Sequence, residues 1–194
     1  MEKGYKLENE IIILNRNLTE LDLFVKDFLD IMKKHSNYLI VSGYVSISTG
    51  RVRGTEDVDL LVPMMDKEKF KELFLDLEKN DFWCYQGEDA EKVYSYVGSK
   101  TSIRFAKKNT MFPNMEFVPI DENDKIKYYE LQHPQKIKIK DFEFKISPIE
   151  FEILYKELKL GSKKDMEDAK HLRTFFKEIL KEENFIRFKK IIQI

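Results

Sequence analysis

The first half of the chain alternates between helical and extended spacing of its hydrophobic residues. Apolar residues recur at intervals of three and four over 21–32, which predicts a helix, and Asn17 with Glu20 forms a pattern typical of its N-terminal cap. A short helix is predicted over 44–50 and another from Asp66. Apolar runs predict one strand before the first helix, 11–14, and two between the helices, 38–41 and 57–63.

The second half changes from mixed to purely helical patterning near residue 147. Strands are predicted over six short runs: 82–85, 93–97, 102–106, 115–119, and the two strands of a hairpin, 136–140 and 142–146. We therefore predict an α/β (α+β) fold, with a small mixed β-sheet flanked by helices over 1–146. The helical C-terminal region, 147–194, is expected to pack on that core.

Two helix starts in the C-terminal region carry capping signals. Ser147, Pro148 and Glu150 have the order expected for a cap, a first-turn proline and a capping box. Gly161 is then expected to end this helix. Ser162, with Asp165 three residues later, forms a second capping box. Capping alone thus accounts for Glu150 and Asp165.

Composition excludes several classes of protein. The 194 residues carry a formal net charge of −1, which argues against a general nucleic-acid coat protein. The single cysteine, Cys84, excludes an intramolecular disulfide and a cysteine-built metal site. The chain opens without a signal-peptide pattern, and no apolar run reaches the ~18 residues of a membrane span. We therefore expect a cytoplasmic protein with no membrane partner.

The strongest chemical signal is the pair Asp57 and Asp59 at the front of a predicted strand. Successive strand residues point to opposite faces, so the two carboxylates share one face, about 7 Å apart. Hard oxygen ligands of this kind suit divalent cations. The Ser42-Gly43 turn before the short helix leaves room for a phosphate chain against backbone N–H groups. Together these residues predict metal-assisted nucleotidyl transfer, and the alternative is a solvated strand end.

A family resemblance rests on this same segment. Its ordered pattern resembles the nucleotidyltransferase superfamily typified by DNA polymerase beta, in the minimal prokaryotic branch that contains AbiEii-type toxins. The matching positions are Ser42, Gly43, Val45, Gly50, Arg53, Thr55, Asp57 and Asp59. Two depart from the pattern, because Ser42 stands where glycine is usual and Val45 where alanine is usual.

The resemblance implies a third carboxylate on a neighbouring strand. Glu116 is the best match, since it faces opposite to the apolar Met115 and Phe117, and Asp121 is the second candidate. The alternative is an ordinary charged residue on a half-exposed strand. In this interpretation Asp57, Asp59 and Glu116 are both the catalytic residues and the ligands of Mg²⁺ or Mn²⁺.

Three cations and one threonine near these motifs have more than one interpretation. Arg53 either approaches the triphosphate as a planar donor or is solvated, and Thr55 either binds a phosphate or orients Asp57. Lys156 interrupts the apolar seam of its helix, so it either snorkels to the surface or meets a phosphate in a cleft. Arg104, in the strand 102–106, is equally ambiguous.

A second signature, Ser-Pro-x-Glu-x5-Lys…Lys-Asp-x2-Asp-Ala, also resembles the AbiEii-like proteins. It puts four residues beside the nucleotide: Lys156, Lys164, Asp165 and Asp168. With the first signature, the nucleotide-binding residues implied are Ser42, Gly43, Arg53, Thr55, Lys156, Asp165 and Asp168.

The resemblance implies transfer of a nucleoside monophosphate from an NTP to a hydroxyl acceptor. An RNA end such as that of tRNA, a protein and a small molecule are all compatible acceptors. The protein would then be either an ordinary enzyme or the toxin of a toxin–antitoxin pair, with an antitoxin as partner. The alternative is a catalytically inactive module of the same fold that binds a nucleotide or a partner.

Overall fold

The computed structural model describes residues 4–193, so residues 1–3 and 194 of the two predicted domains lie outside it. Within the described range, nine strands form one mixed sheet in the order β1-β2-β8-β9-β3-β4-β7-β6-β5. Helices flank this sheet, which confirms the predicted α/β class. The strands are β1 (Tyr5–Glu8), β2 (Ile11–Leu14), β3 (Leu39–Ile40), β4 (Asp57–Pro63), β5 (Phe82–Cys84), β6 (Ile103–Lys107), β7 (Asn114–Ile120), β8 (Gln135–Ile139) and β9 (Phe142–Ile146).

The described helices include the predicted ones and two that the pattern did not predict. They are α1 (Glu20–His35), α2 (Gly43–Ser48), α3 (Lys67–Lys79), α4 (Ala90–Gly98), α5 (Lys125–Gln132), α6 (Ile149–Tyr155), α7 (Lys163–Phe175) and α8 (Glu182–Ile192). A π-helical turn, Lys156–Leu160, continues α6 without a break. Between residues 4 and 193, every helix is too short or too polar to cross a lipid bilayer.

The strand predicted over 93–97 is wrong, because these residues lie in α4. Val93 and Val97 are both fully buried and four residues apart, which is the spacing of one helix face. The Asp89 carboxylate accepts from the backbone N–H groups of Glu91 and Lys92 and so caps the helix. In so short a run, the spacing of the apolar residues does not distinguish the period of a helix from that of a strand.

Two of the predicted caps are also wrong. Helix α1 is capped by Thr19 rather than Asn17, and Thr19 forms a full capping box with Asp22. Ser147 does not cap α6. Glu150 accepts instead from the backbone N–H of Lys181 and the side chain of Asn184, so it joins α6 to the start of α8. The box at Ser162 and Asp165 is confirmed, and Gly161 ends the helical run as predicted, in a left-handed conformation (φ 68°).

The two faces of the sheet are covered unequally, and this positions the site. On β4, Val58, Leu60 and Val62 lie in the main core, which α1 and α3 also fill. The opposite face carries a smaller apolar cluster: Leu39, Leu61, Ile120 and Leu131. Asp57 and Asp59 precede Leu61 on this second face and are half-buried. The second face is therefore apolar under α5 and acidic towards the start of β4.

A buried carboxylate, Asp22, joins α1 to α2. It is 1% exposed and accepts two hydrogen bonds from Arg16, at 2.6 and 2.9 Å, and one from the Tyr44 hydroxyl at 2.6 Å. Burial acts to raise the pKa of Asp22, but the donors Arg16, Tyr44 and Thr19 outweigh it and lower the pKa. Since Tyr44 lies in α2, this contact fixes the helix that follows the Ser42-Gly43 turn.

We expect Asp22→Ala to lower the free energy of unfolding by about 3 kcal/mol, because the variant leaves Arg16 and Tyr44 without their buried acceptor. Urea unfolding followed by circular dichroism measures the change. Asp27→Ala is the matched control on the same helix, since the Asp27 side chain is 58% exposed. If Asp22→Ala lost no more stability than Asp27→Ala, the contact of Asp22 with Arg16 and Tyr44 would not be a stabilising interaction.

Candidate active site

Three carboxylates lie on the second face of the sheet at the start of β4 and β7. These strands are parallel, with Asp57 opposite Asn114 and Asp59 opposite Glu116. Side chains of directly paired residues share a face. Asp57, Asp59 and Glu116 therefore form one group, which we call the acidic row. The structure thus brings together the three residues that the sequence named as catalytic.

The acidic row lacks full electrostatic compensation. Burial raises the pKa of Asp59, and the neighbouring charges of Asp57 and then Glu116 raise it further. A hydrogen bond from the Ser42 hydroxyl and the charge of Lys156 oppose this rise. Such a carboxylate is stabilised by any cation that comes close to it.

Glu116 is partly neutralised by its neighbour on β6. Arg104 is its register partner, and Arg104 Nη2 donates to Glu116 Oε2 at 2.6 Å. Asp121, the second candidate for the third carboxylate, lies beyond the end of β7 and binds Lys100 at 2.6 Å. Of the two candidates, only Glu116 is in register with Asp59.

The donor set of the acidic row fits Mg²⁺ bound together with a nucleotide. Over residues 4–193, no three His, Cys, Asp or Glu side chains are gathered as ligands of a metal ion. Mg²⁺ rarely uses such a cage, because one or two carboxylates and the substrate's phosphates usually complete its shell. Asp57 and Asp59 supply two hard oxygen donors on one face of β4, close enough for the charge of Asp57 to raise the pKa of Asp59.

The turn before α2 is strained and tightly packed. Ser42 has φ 65° and ψ −130°, a conformation that favours glycine, which is the residue that the resemblance leads one to expect. Its backbone N–H donates to the Glu152 carboxylate, and its hydroxyl donates to Asp59. At Gly43 an added Cβ would lie 2.3 Å from Arg53 Nη2, so only glycine allows this close approach.

Arg53 is fixed by a carboxylate from α7. Its Nη2 donates to Asp168 Oδ2 at 3.0 Å, and Arg51 Nε lies 3.5 Å from the other oxygen, Oδ1. Thr55, on the same loop, donates to the backbone carbonyl of Asp57 at 2.9 Å. The loop 50–56 is thus attached both to α7 and to the start of β4.

Lys156 lies at the centre of a buried charge cluster, which we define as Lys156, Glu152, Asp165, Asp168 and Arg53. Its Nζ is 3.1 Å from Glu152, 3.5 Å from Asp168 and 4.0 Å from Asp165. Both Lys156 and Asp168 are 0% exposed. Lys156 therefore does not snorkel to the surface. Its Nζ forms these ion pairs without a well-aligned hydrogen bond, so it retains donor capacity.

The remaining residues of the second signature make different contacts. Asp165 closes the capping box with Ser162 as well as facing Lys156. Asp168 lies behind Arg53, away from solvent, so it acts on the site through the cations that it holds. Lys164 is exposed on the first turn of α7. The π-helical turn begins at Lys156, and single π turns of this kind are frequent at functional sites.

A cavity of about 170 Å³ opens beside Asp59 and Ser42. It contains two acidic residues that sequence reasoning missed, Glu130 from α5 and Glu152 from α6, each 2% exposed. Burial raises the pKa of Glu130 to about 8, and the charge of Glu152 adds to the rise. The only sequence signal for either residue is that Glu152 precedes Lys156 by four positions, the spacing of a helical ion pair.

Comparison with known proteins leaves the family open. No family model matches the chain, and no curated protein matches it. Among solved structures the chain is similar to an antigenic nucleotidyltransferase-like protein from Paracoccidioides brasiliensis. The two are 18% identical, with a TM-score of 0.49 over 92% of this chain and 90% of that chain. A likeness this distant carries no argument about activity.

We expect Lys156→Met to lower the free energy of unfolding by about 3 kcal/mol, because it leaves Glu152 and Asp168 buried with less positive charge. The double variant Lys156→Met/Glu152→Gln should recover at least about 1 kcal/mol, since it removes one of those charges. Chemical unfolding of both variants tests this expectation. Lys159→Met, exposed in the same π turn, is the control. If the stability of Lys156→Met equalled that of the unmodified protein, Lys156 would not be compensating the buried carboxylates of the cluster.

Glu130 makes the stability of the protein depend on pH. Its pKa rises from 4.5 in the unfolded chain to about 8 in the fold, so the folded protein keeps a proton that the unfolded chain releases. This stabilisation is complete below pH 4.5 and is lost as the pH rises towards 8, at about 1.4 kcal/mol per pH unit. The charged or titratable groups around Glu130 are Glu152, Lys127 and Tyr155.

We therefore expect Glu130→Gln to become progressively more stable than the unmodified protein between pH 5 and 8. Thermal unfolding at several pH values measures the difference, with Glu122→Gln, an exposed site just before α5, as the control. Parallel stability profiles for Glu130→Gln and the unmodified protein would show that Glu130 ionises normally.

Proposed function

We propose that the protein is a metal-dependent nucleotidyltransferase that transfers a nucleoside monophosphate from an NTP to a hydroxyl acceptor. The observation that carries this proposal is the acidic row. Asp57 and Asp59 share one face of β4 beside the Ser42-Gly43 turn, with Glu116 in register on β7. Two carboxylates next to a tight turn supply what a metal–triphosphate complex requires.

In this proposal Asp57 and Asp59 hold the divalent cation, Mg²⁺ or Mn²⁺. When bound, such a cation neutralises phosphate charge and stabilises the leaving pyrophosphate. The acceptor oxygen forms a bond to the α-phosphorus while the bond to the β-phosphate oxygen breaks. Glu116 takes the proton of the acceptor hydroxyl as general base, with Arg104 fixing its orientation.

The triphosphate is proposed to lie against the Ser42-Gly43 turn and Arg53. Arg53 already packs on Gly43, and its planar guanidinium suits phosphate oxygens. Thr55 orients the entry to β4 through its bond to Asp57. Lys156 adds positive charge from behind Asp59, while Asp165 and Asp168 position the cations. These assignments are supported by the family resemblance of both signatures.

The acceptor and the cellular role follow from the resemblance alone. An RNA end such as that of tRNA, a protein hydroxyl and a small molecule each offer the nucleophile that the mechanism needs. The AbiEii-like branch includes toxins, so an antitoxin partner and growth inhibition on expression belong to the proposal. Relief of toxicity by the product of an adjacent gene would support that role.

One observation favours a second candidate, an inactive module that binds a nucleotide or a partner. Glu116 has one carboxylate oxygen, Oε2, occupied by Arg104 at 2.6 Å, and the charge of Arg104 offsets its own. In an inactive module the Glu116–Arg104 pair would persist with nucleotide bound, and NTP would bind without being consumed.

We expect label from an α-labelled NTP to move into an acceptor in the presence of Mg²⁺ or Mn²⁺. Total tRNA, the protein itself and hydroxylated small molecules are offered in separate reactions. Asp57→Asn/Asp59→Asn should reduce transfer by at least about 100-fold, since it removes the charges that hold the cation. Gel and chromatographic separation of the products then identifies the acceptor class.

The control for this assay is Asp141→Asn, at the exposed turn between β8 and β9, with a side chain that is 74% exposed. It should transfer label as the unmodified protein does. Transfer that survives in Asp57→Asn/Asp59→Asn would overturn the assignment of the acidic row. NTP binding without transfer to any acceptor class would favour the inactive module.

A further inference from the structure

The cavity beside Asp59 leads from the acidic row into the apolar part of the second face. It lies between the sheet, α5 and the α6–π segment. Four aliphatic side chains contribute to its walls: Val41, Leu61, Val118 and Leu160. Tyr155 adds an aromatic ring and Lys127 a cation. The sequence assigned Ser42 and Asp59 at its edge to the phosphates and the cation, and gave the rest of the cavity no ligand.

Its size matches one aromatic ring. A closed apolar cavity of about 150 Å³ binds benzene, and the cavity here measures about 170 Å³. Aliphatic walls and the Tyr155 ring favour a flat, weakly polar group over a hydrated one. A nucleobase is the flat group of an NTP. The cavity adjoins Ser42 and Asp59, where the phosphates and the cation are proposed to bind.

The two buried carboxyl groups define the hydrogen bonds available to that ring. Glu152 is paired with Lys156 and is the better compensated of the two, because no cation in the described part of the chain forms an ion pair with Glu130. Two adjacent buried carboxyls with one close cation favour a state in which one proton is kept. A neutral Glu130 donates one hydrogen bond and accepts another, and Glu152 accepts.

We propose that this cavity is the base pocket of the nucleotide donor, and that Glu130 and Glu152 select bases that carry an amino group beside an unprotonated ring nitrogen, as cytosine and adenine do. Neutral Glu130 donates to the ring nitrogen and accepts from the amino group, whose second hydrogen goes to Glu152. In uracil or hypoxanthine an oxygen replaces the amino group and would face the Glu152 carboxylate. This inference rests on the proposed nucleotidyltransferase function.

An amine on the acceptor has the hydrogen-bond donors that the same carboxyls accept, but the geometry favours the donor base. Both carboxyls are almost completely buried, and the cavity admits about one six-membered ring, which is the amino-bearing ring in cytosine and in adenine. A polymer end or a polyamine would need a wider approach. Binding measured with NTP alone, with no acceptor present, separates the two occupants.

The test compares matched nucleotide pairs that differ at the amino group. Calorimetric binding at pH 7 with Mg²⁺ is measured for CTP against UTP and for ATP against ITP. We expect the amino-bearing member of each pair to bind at least 10-fold more tightly, because the other leaves buried acceptors unsatisfied. Glu130→Leu should reduce both ratios to near 1 while UTP affinity changes less than about threefold.

Glu130→Gln is the conservative variant, because an amide also donates one hydrogen bond and accepts another. It should retain both preferences, and Glu122→Leu, outside the cavity, should leave them unchanged. Thermal unfolding of each variant establishes that the protein is folded before binding is compared.

The outcomes separate this inference from the proposed function. Equal affinities within both pairs, or preferences that persist in Glu130→Leu, would overturn the base pocket and leave nucleotidyl transfer standing. Loss of preference in Glu130→Gln would overturn the role of a neutral acid. Absence of binding by all four nucleotides would overturn the proposed function together with the pocket. Preference only when an acceptor is added would assign the cavity to the acceptor.

Discussion

The site depends on one buried carboxylate, Asp168. It is 0% exposed and lies within 3.5 Å of charged nitrogens from Arg51, Arg53 and Lys156. These three cations come from the loop that enters β4 and from the π-helical turn, so α7 is attached to both. Without that carboxylate, three positive groups would repel one another beside the Ser42-Gly43 turn. The helical C-terminal region therefore determines the geometry of a site whose carboxylates belong to the sheet.

Charge is distributed unevenly around this carboxylate. Behind the turn, cations and carboxylates are closely matched in the buried charge cluster. On the second face, no cation among residues 4–193 forms an ion pair with Asp57 or Asp59. The pKa of Asp59 rises because of burial first and of its acidic neighbours second. A metal–nucleotide complex would bring both the missing positive charge and the phosphates that Arg53 can bind. The unmatched part of the site is thus the part that faces the cavity and the turn.

Sequence periodicity predicted the sheet well because alternation of side chains has a direct physical cause. It placed Asp57, Asp59 and Glu116 on one face, and the parallel register of β4 and β7 then joined them. It failed at 93–97, where two valines four residues apart also fit a helix, and at the caps of α1 and α6. Glu130 could not be assigned from the sequence, because its environment depends on contacts with residues far away in the chain. The resemblance placed Asp168 beside the nucleotide, but its burial among Arg51, Arg53 and Lys156 depends on the same kind of distant contact.

Glu152 links the two halves of this arrangement. Its carboxylate accepts from the Ser42 backbone N–H, pairs with Lys156 at 3.1 Å and raises the pKa of Glu130 through its charge. The strained Ser42 turn, the buried charge cluster and the cavity therefore form one electrostatic system rather than three independent sites. A serine at position 42 suits this system, since its hydroxyl reaches Asp59 while its amide is held by Glu152. Glycine would supply the same backbone conformation at lower strain but would leave Asp59 without that donor.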